Sequence, residues 1–172
     1  MTGAFRGVRL GINIDVDFDF HVISRHEGIL TEIRDLGALV TEVVDRLATG
    51  RLPAGYQADI SRGSAAGTLA VIVDPDEDDA ELLIVKLRIM REPVSAAAFH
   101  RRLLELNRSM NGKAAFAVDA EGIVVLLAGR PVADLDAGEA IDLILWTADR
   151  ADHFDDLLLG EFGEEHALGP RP

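Results

Sequence analysis

Residues 93–127 read PVSAAAFHRRLLELNRSMNGKAAFAVDAEGIVVLL, and within them the apolar period changes from that of a helix to that of a strand. Pro93 and Ser95 open a helix whose apolar stripe is Phe99, Leu103, Leu106 and Met110, and Asn111-Gly112 ends it. A hairpin follows: Ala114 to Val118, the turn Asp119-Ala-Glu-Gly122, then Ile123 to Leu127. Gly122 stands where such a turn needs a left-handed backbone. Downstream, Leu135-Asp136 starts a last helix. Asp136 is its cap, Glu139 lies three residues on, and Ile141, Ile144, Leu145, Ala148, Phe154 and Leu158 form its apolar face.

Upstream of Pro93 the period is two. Strands are expected at about Tyr56 to Ser61, Thr68 to Val73 and Leu82 to Met90. Gly63 and Gly67 punctuate the first gap, and the acidic run Asp74 to Asp79 makes the second, because Pro75 cannot continue a ladder. Before these lies a helix with Ser24 as cap and Glu27 at the capping-box position. It carries Ile29, Ile33, Leu36, Val40, Val43, Val44 and Leu47 at helical spacing, with Gly50 as its stop. First of all comes the cleanest alternation in the chain, Val8, Leu10, Ile12, Ile14, Val16, Phe18, Phe20 and Val22, which predicts a long half-buried strand. The order is β-α-βββ-α-ββ-α, an α+β fold in which helices pack on an antiparallel sheet. The division expected is an extra N-terminal strand at 1–24, an α+β domain at 25–162, and a frayed tail at 163–172.

At 172 residues the chain has the length of one domain, and it has no cysteine. Disulfides, thiol nucleophiles and cysteine-rich zinc sites are therefore excluded. No basic stretch followed by an apolar core opens the sequence, and the longest aliphatic run, Ile123 to Ala128, is too short to cross a bilayer. The expected location is the cytoplasm. A net charge of −13 argues against nucleic-acid and membrane partners, as does the presence of only one Tyr and one Trp for base stacking. Positive charge is nonetheless gathered between Lys86 and Lys113, where Arg88, Arg91, Arg101, Arg102 and Arg108 face only Glu92 and Glu105. That stretch is read first as a solvated basic face, and second as a site for an acidic partner or for self-association.

The chemistry-bearing clusters are weak. Asp15, Asp17, Asp19 and His21 share one face of a straight strand, roughly seven ångströms apart by strand rise, which is too far for more than two to meet one ion. Asp149, Asp152, His153 and Asp156 share a helical face, the first helix offers Glu32, Asp35, Glu42 and Asp45 without a Glu-x-x-His unit, and both sets are expected to be solvated. No Gly-x-Ser-x-Gly, phosphate-binding glycine loop or His-Glu-x-x-His occurs. A metal-dependent enzyme built on the aspartates and a small-ligand sensor remain the alternatives to a binding protein. No cofactor is expected.

Leu103-Leu-Glu-Leu-Asn107, Ala115-Phe-Ala-Val-Asp-Ala-Glu-Gly-Ile-Val-Val-Leu-Leu127 and Pro131-Val-Ala-Asp-Leu-Asp136 together resemble the YbjN and type III secretion chaperone-like group. With the earlier helix and strands, the resemblance spans about residues 29–160. It implies an α-βββ-α-ββ-α fold that is dimeric, binds an extended segment of another protein, and catalyses nothing. The strand at Val8 to Val22 is extra to that pattern. Physically, the third middle strand is apolar on both faces, with Leu83, Val85, Leu87 and Ile89 set against Leu82, Ile84 and Met90. Such a strand is either central and covered, or part of an interface. Leu83, Val85, Lys86, Leu87, Arg88 and Ile89 are therefore the expected partner-binding or dimer residues. Asn107 is expected to join the helix end to the hairpin rather than to touch a partner.

Overall fold

In the computed structural model, which describes residues 35–74 and 80–169, the first helix is α1, Leu36–Ala48. Asp35 caps it by accepting from Gly37 N at 3.2 Å, satisfying one of the unpaired donors of its first turn. The expected cap at Ser24, the alternating strand at 8–22 and the acidic turn residues 75–79 lie outside the described residues. The expected domain boundary at 25 also lies outside them.

Five strands follow the predicted order, interrupted by one helix. They are β1 (Gln57–Arg62), β2 (Ala65–Asp74), β3 (Ala80–Arg91), then α2 (Ala96–Ser109), β4 (Ala115–Val118) and β5 (Ile123–Pro131). The sheet order is β1-β2-β3-β5-β4, and every pairing is antiparallel. The β4–β5 turn forms as its residues require. Gly122 takes φ +72°, and Asp119 Oδ1 accepts from Glu121 N at 3.1 Å and Ile123 N at 2.9 Å. β3 is central because it is long enough to pair along its length with both β2 and β5. Its register slips between Arg88 and Met90, so the side chains of Ile89 and Met90 are both buried although they are consecutive.

The last helix, α3 (Ala137–Phe162), starts with a complete capping box. Asp136 accepts from Glu139 N at 2.8 Å, and Glu139 accepts from Asp136 N at 3.3 Å. Side chains from α1, α2 and α3 join one buried cluster with Leu69, Leu83, Val85, Leu87 and Leu126, so all three helices lie on one face of the sheet. Phe99 of α2 meets Phe162 of α3 edge to face at 4.9 Å, and Arg102 holds Glu161 through two hydrogen bonds of 2.9 and 2.7 Å. That hydrogen bonding raises the Arg102 pKa above its ordinary value, against a smaller opposing effect of desolvation.

Within the span expected as a tail, residues 163–169 are described. A 3₁₀ turn at Glu164–His166 follows α3, and Ala167 packs against the core. No described helix is long and apolar enough to cross a membrane.

Candidate protein-binding surfaces

Alternation along β3 divides the expected patch in two. Leu83, Val85 and Leu87 are 0% exposed and Ile89 2%, all within the cluster under the helices. These four are core residues and cannot touch a partner while the domain is folded, which corrects the expectation that they form a contact surface. The physical reason is β3's central position: both edges are paired and one face is covered by helices. Lys86 and Arg88 point to the other face, where Leu82 and Ile84 are partly buried and no described helix packs. Arg88 is exposed, and Lys86 lies 3.9 Å from Asp119.

Main-chain pairing decides what each sheet edge can do. Antiparallel residues point N–H and C=O alternately toward and away from a neighbour. Val71 N donates to Tyr56 O at 2.9 Å, so Ala58 and Ile60 direct their groups at β2, while Gln57, Asp59 and Ser61 direct theirs outward. Among the described residues no strand pairs with that outer edge of β1. At the opposite edge Phe116 and Val118 direct their groups outward, and those of Phe116 are taken. Phe116 N donates to Asn107 Oδ1 at 2.6 Å, and Asn107 Nδ2 donates to Phe116 O at 3.4 Å. The Asn107 amide supplies one acceptor and one donor where a neighbouring strand would supply the same pair. Asn107 therefore joins α2 to the hairpin, as expected, and it also blocks the β4 edge at Phe116.

α2 presents a surface that the sequence reading missed. Leu104 is 69% exposed, flanked by Arg101 and Arg108, and Val94 just before the helix is fully exposed. The signal was present in Leu103-Leu104: successive helical residues lie about 100° apart, so Leu103 enters the core and Leu104 does not.

The acidic face of α3 is occupied structurally. Asp149 pairs with Arg62 at 2.9 Å, and Asp152 accepts from Ser64 N at 3.2 Å. Buried Asp155 accepts from the Ser64 hydroxyl. Together they pin the β1–β2 turn to the helix. His153 leans on Phe154, with ring centroids 5.3 Å apart. On α1, Glu42 pairs with Arg46 at 2.9 Å. Among the described residues no three His, Asp or Glu side chains are grouped to hold a metal ion. The cluster around Asp15 to His21 lies outside them.

Residues 55–159 match the YbjN family, described as "Putative bacterial sensory transduction regulator". The chain belongs to the YbjN family. The matched span runs from the loop before β1 into the last turn of α3, and so covers the whole sheet, including Asn107 and the β1 edge. No curated protein matches the chain. Among solved structures it is similar to a chain of the ExsC–ExsE complex, at 20% identity over 72% of this chain and 95% of that one, with a TM-score of 0.49. It is also similar to a chain of the HopA1–SchA chaperone–effector complex, at 16% identity over 70% and 98% respectively, with a TM-score of 0.39.

Proposed function

We propose that this YbjN-family protein is a non-enzymatic, protein-binding adaptor or chaperone-like regulator that acts as a dimer on an extended segment of a partner. The segment adds as a strand along the outer edge of β1. The observation that carries this reading is the asymmetry of the sheet. Asn107 takes up the outward groups of Phe116 on the short β4 edge, whereas Gln57, Asp59 and Ser61 direct main-chain groups outward from β1 with no described strand opposite. A partner strand would gain main-chain hydrogen bonds there, and alternate side-chain contacts would set its specificity. Lys86 and Arg88 are retained from the expected patch as partner contacts on the face where no described helix packs. The exposed Leu104 between Arg101 and Arg108 gives the dimer a contact separate from the β1 edge.

The test pairs Asp59→Pro with Leu104→Ser in the full chain. Proline removes one outward N–H from an edge strand, which tolerates it. Partners captured from the native organism are identified by mass spectrometry and mapped by cross-linking, and mass in solution is read by light scattering. Loss of partner with retained dimer is expected for Asp59→Pro, and loss of dimer for Leu104→Ser. Undiminished capture by Asp59→Pro, with its fold intact, refutes strand addition at β1. A wild-type protein that is monomeric at micromolar concentration refutes the dimer.

A further inference from the structure

The chain's one tryptophan, Trp146, lies half-buried on α3 beside the end of α2. Two cations flank its ring. Lys113 Nζ is 5.5 Å from the ring centroid, and the Arg150 guanidinium carbon is 5.6 Å from it. Both line one surface cleft with Asn111 and Ser109, and buried Met110 and Phe154 line it too. Acidic residues outnumber basic ones by 30 to 17, and Arg46, Arg62, Arg101 and Arg102 each hold a carboxylate. No described carboxylate pairs with Lys113 or Arg150, which rest on the indole instead.

Asn111 adds a second feature. It is the one non-glycine residue with positive φ (52°) among those described, in the turn that ends α2. Asn111 lines the same cleft, and its amide group can donate. Ser109 donates its hydroxyl hydrogen to Leu106 O at 2.7 Å, so it offers a ligand only an acceptor. The cleft thus offers two positive charges, an amide donor and an aromatic ring.

We propose that the cleft binds a phosphomonoester small molecule, its phosphate held by Lys113, Arg150 and Asn111 and its organic part against Trp146. Two cations match the charge of about −1.5 to −2 that a phosphomonoester carries near neutral pH better than the single charge of a carboxylate. Guanidinium and ammonium groups both bind phosphate oxygens, the former as a planar fork. This site lies apart from the β1 edge and does not rest on the function proposed above.

Because Trp146 is the only tryptophan, its emission reports the cleft directly. The full chain is titrated at constant ionic strength with phenyl phosphate, inorganic phosphate, phenylacetate and a poly-glutamate peptide, and phosphorus-31 line broadening gives a second readout. The expected result is saturable binding of phenyl phosphate, tighter than inorganic phosphate and about tenfold or more tighter than phenylacetate. Lys113→Met and Arg150→Met each weaken it by roughly tenfold or more, consistent with loss of a charge-assisted hydrogen bond. Arg51→Met, which changes an exposed cation outside the cleft, leaves it unaltered. Absence of saturation by both readouts overturns the proposal, as do equal affinity for phenylacetate and unchanged binding in both cleft variants. A response to poly-glutamate alone also overturns it and assigns the cleft to an acidic protein.

Discussion

Removing the Asn107 side chain should both loosen the hairpin and open a sheet edge. In Asn107→Ala the Phe116 N–H loses its 2.6 Å acceptor, and the Phe116 carbonyl loses a longer 3.4 Å donor. A net contribution of about 1 kcal/mol for the first bond, and less for the second, gives an expected loss of roughly 1–2 kcal/mol. For a unit of this size that is a fall in Tm of roughly 3–8 °C. Asn107→Asp keeps the acceptor but sets a carboxylate oxygen against the Phe116 carbonyl, so it should not restore stability. The assay is urea denaturation with hydrogen exchange at the Phe116 amide, alongside light scattering for mass. The exposed β4 edge should then promote association that rises with protein concentration. Stability within about 0.5 kcal/mol of the parent and an unchanged Phe116 exchange rate would refute the edge-closing role, since a surface substitution without a mechanism has effects of that size.

Further substitutions test other parts of the fold. A Cβ on Gly67 would lie 2.8 Å from Leu87 Cα and closer still to Lys86 O, both backbone atoms that cannot rotate away. Gly67→Ala should therefore cost about 1–3 kcal/mol in thermal or chemical unfolding. Gly129→Ala should cost less than Gly67→Ala in the same assay, because its nearest neighbour is the Ile84 Cδ1 atom at 2.5 Å, the end of a flexible side chain. Ser64→Ala and Asp155→Asn should show non-additive losses in a double-mutant cycle, since the Ser64 hydroxyl donates to a carboxylate that is 3% exposed. Additive losses would mean that the contact contributes nothing of its own. Asp136→Ala removes the acceptor of the α3 capping box and should cost about 1 kcal/mol in chemical denaturation.

Most of the architecture was legible in local pattern. Strand alternation, the Asp136–Glu139 pair and the Asp119-to-Gly122 turn all act within a few residues, so one chain shows them without knowledge of its neighbours. The expected binding patch was less legible. The β3 residues alternate apolar on both faces, and that pattern fits a covered central strand as well as an interface strand. Helices on one side removed Leu83, Val85, Leu87 and Ile89 from the candidate surface and left Lys86 and Arg88. The α3 aspartates read as a solvated face because their partners, Arg62 and Ser64, lie nearly ninety positions away in sequence.

By itself, then, the sequence determined the order of the described elements, the α3 cap, the β4–β5 turn and the exclusion of thiol chemistry, because each depends on residue type and short spacing. Tertiary structure decided which face of β3 is core, where the β4 edge is blocked, and which cations near the α2 end lack described carboxylates. Those properties depend on what lies across space from a residue, which periodicity does not encode. The same division applies to Asn107. Its place at a helix end was visible in Leu103-Leu-Glu-Leu-Asn107, but only the packing of α2 beside β4 turns its amide into a substitute for a missing strand.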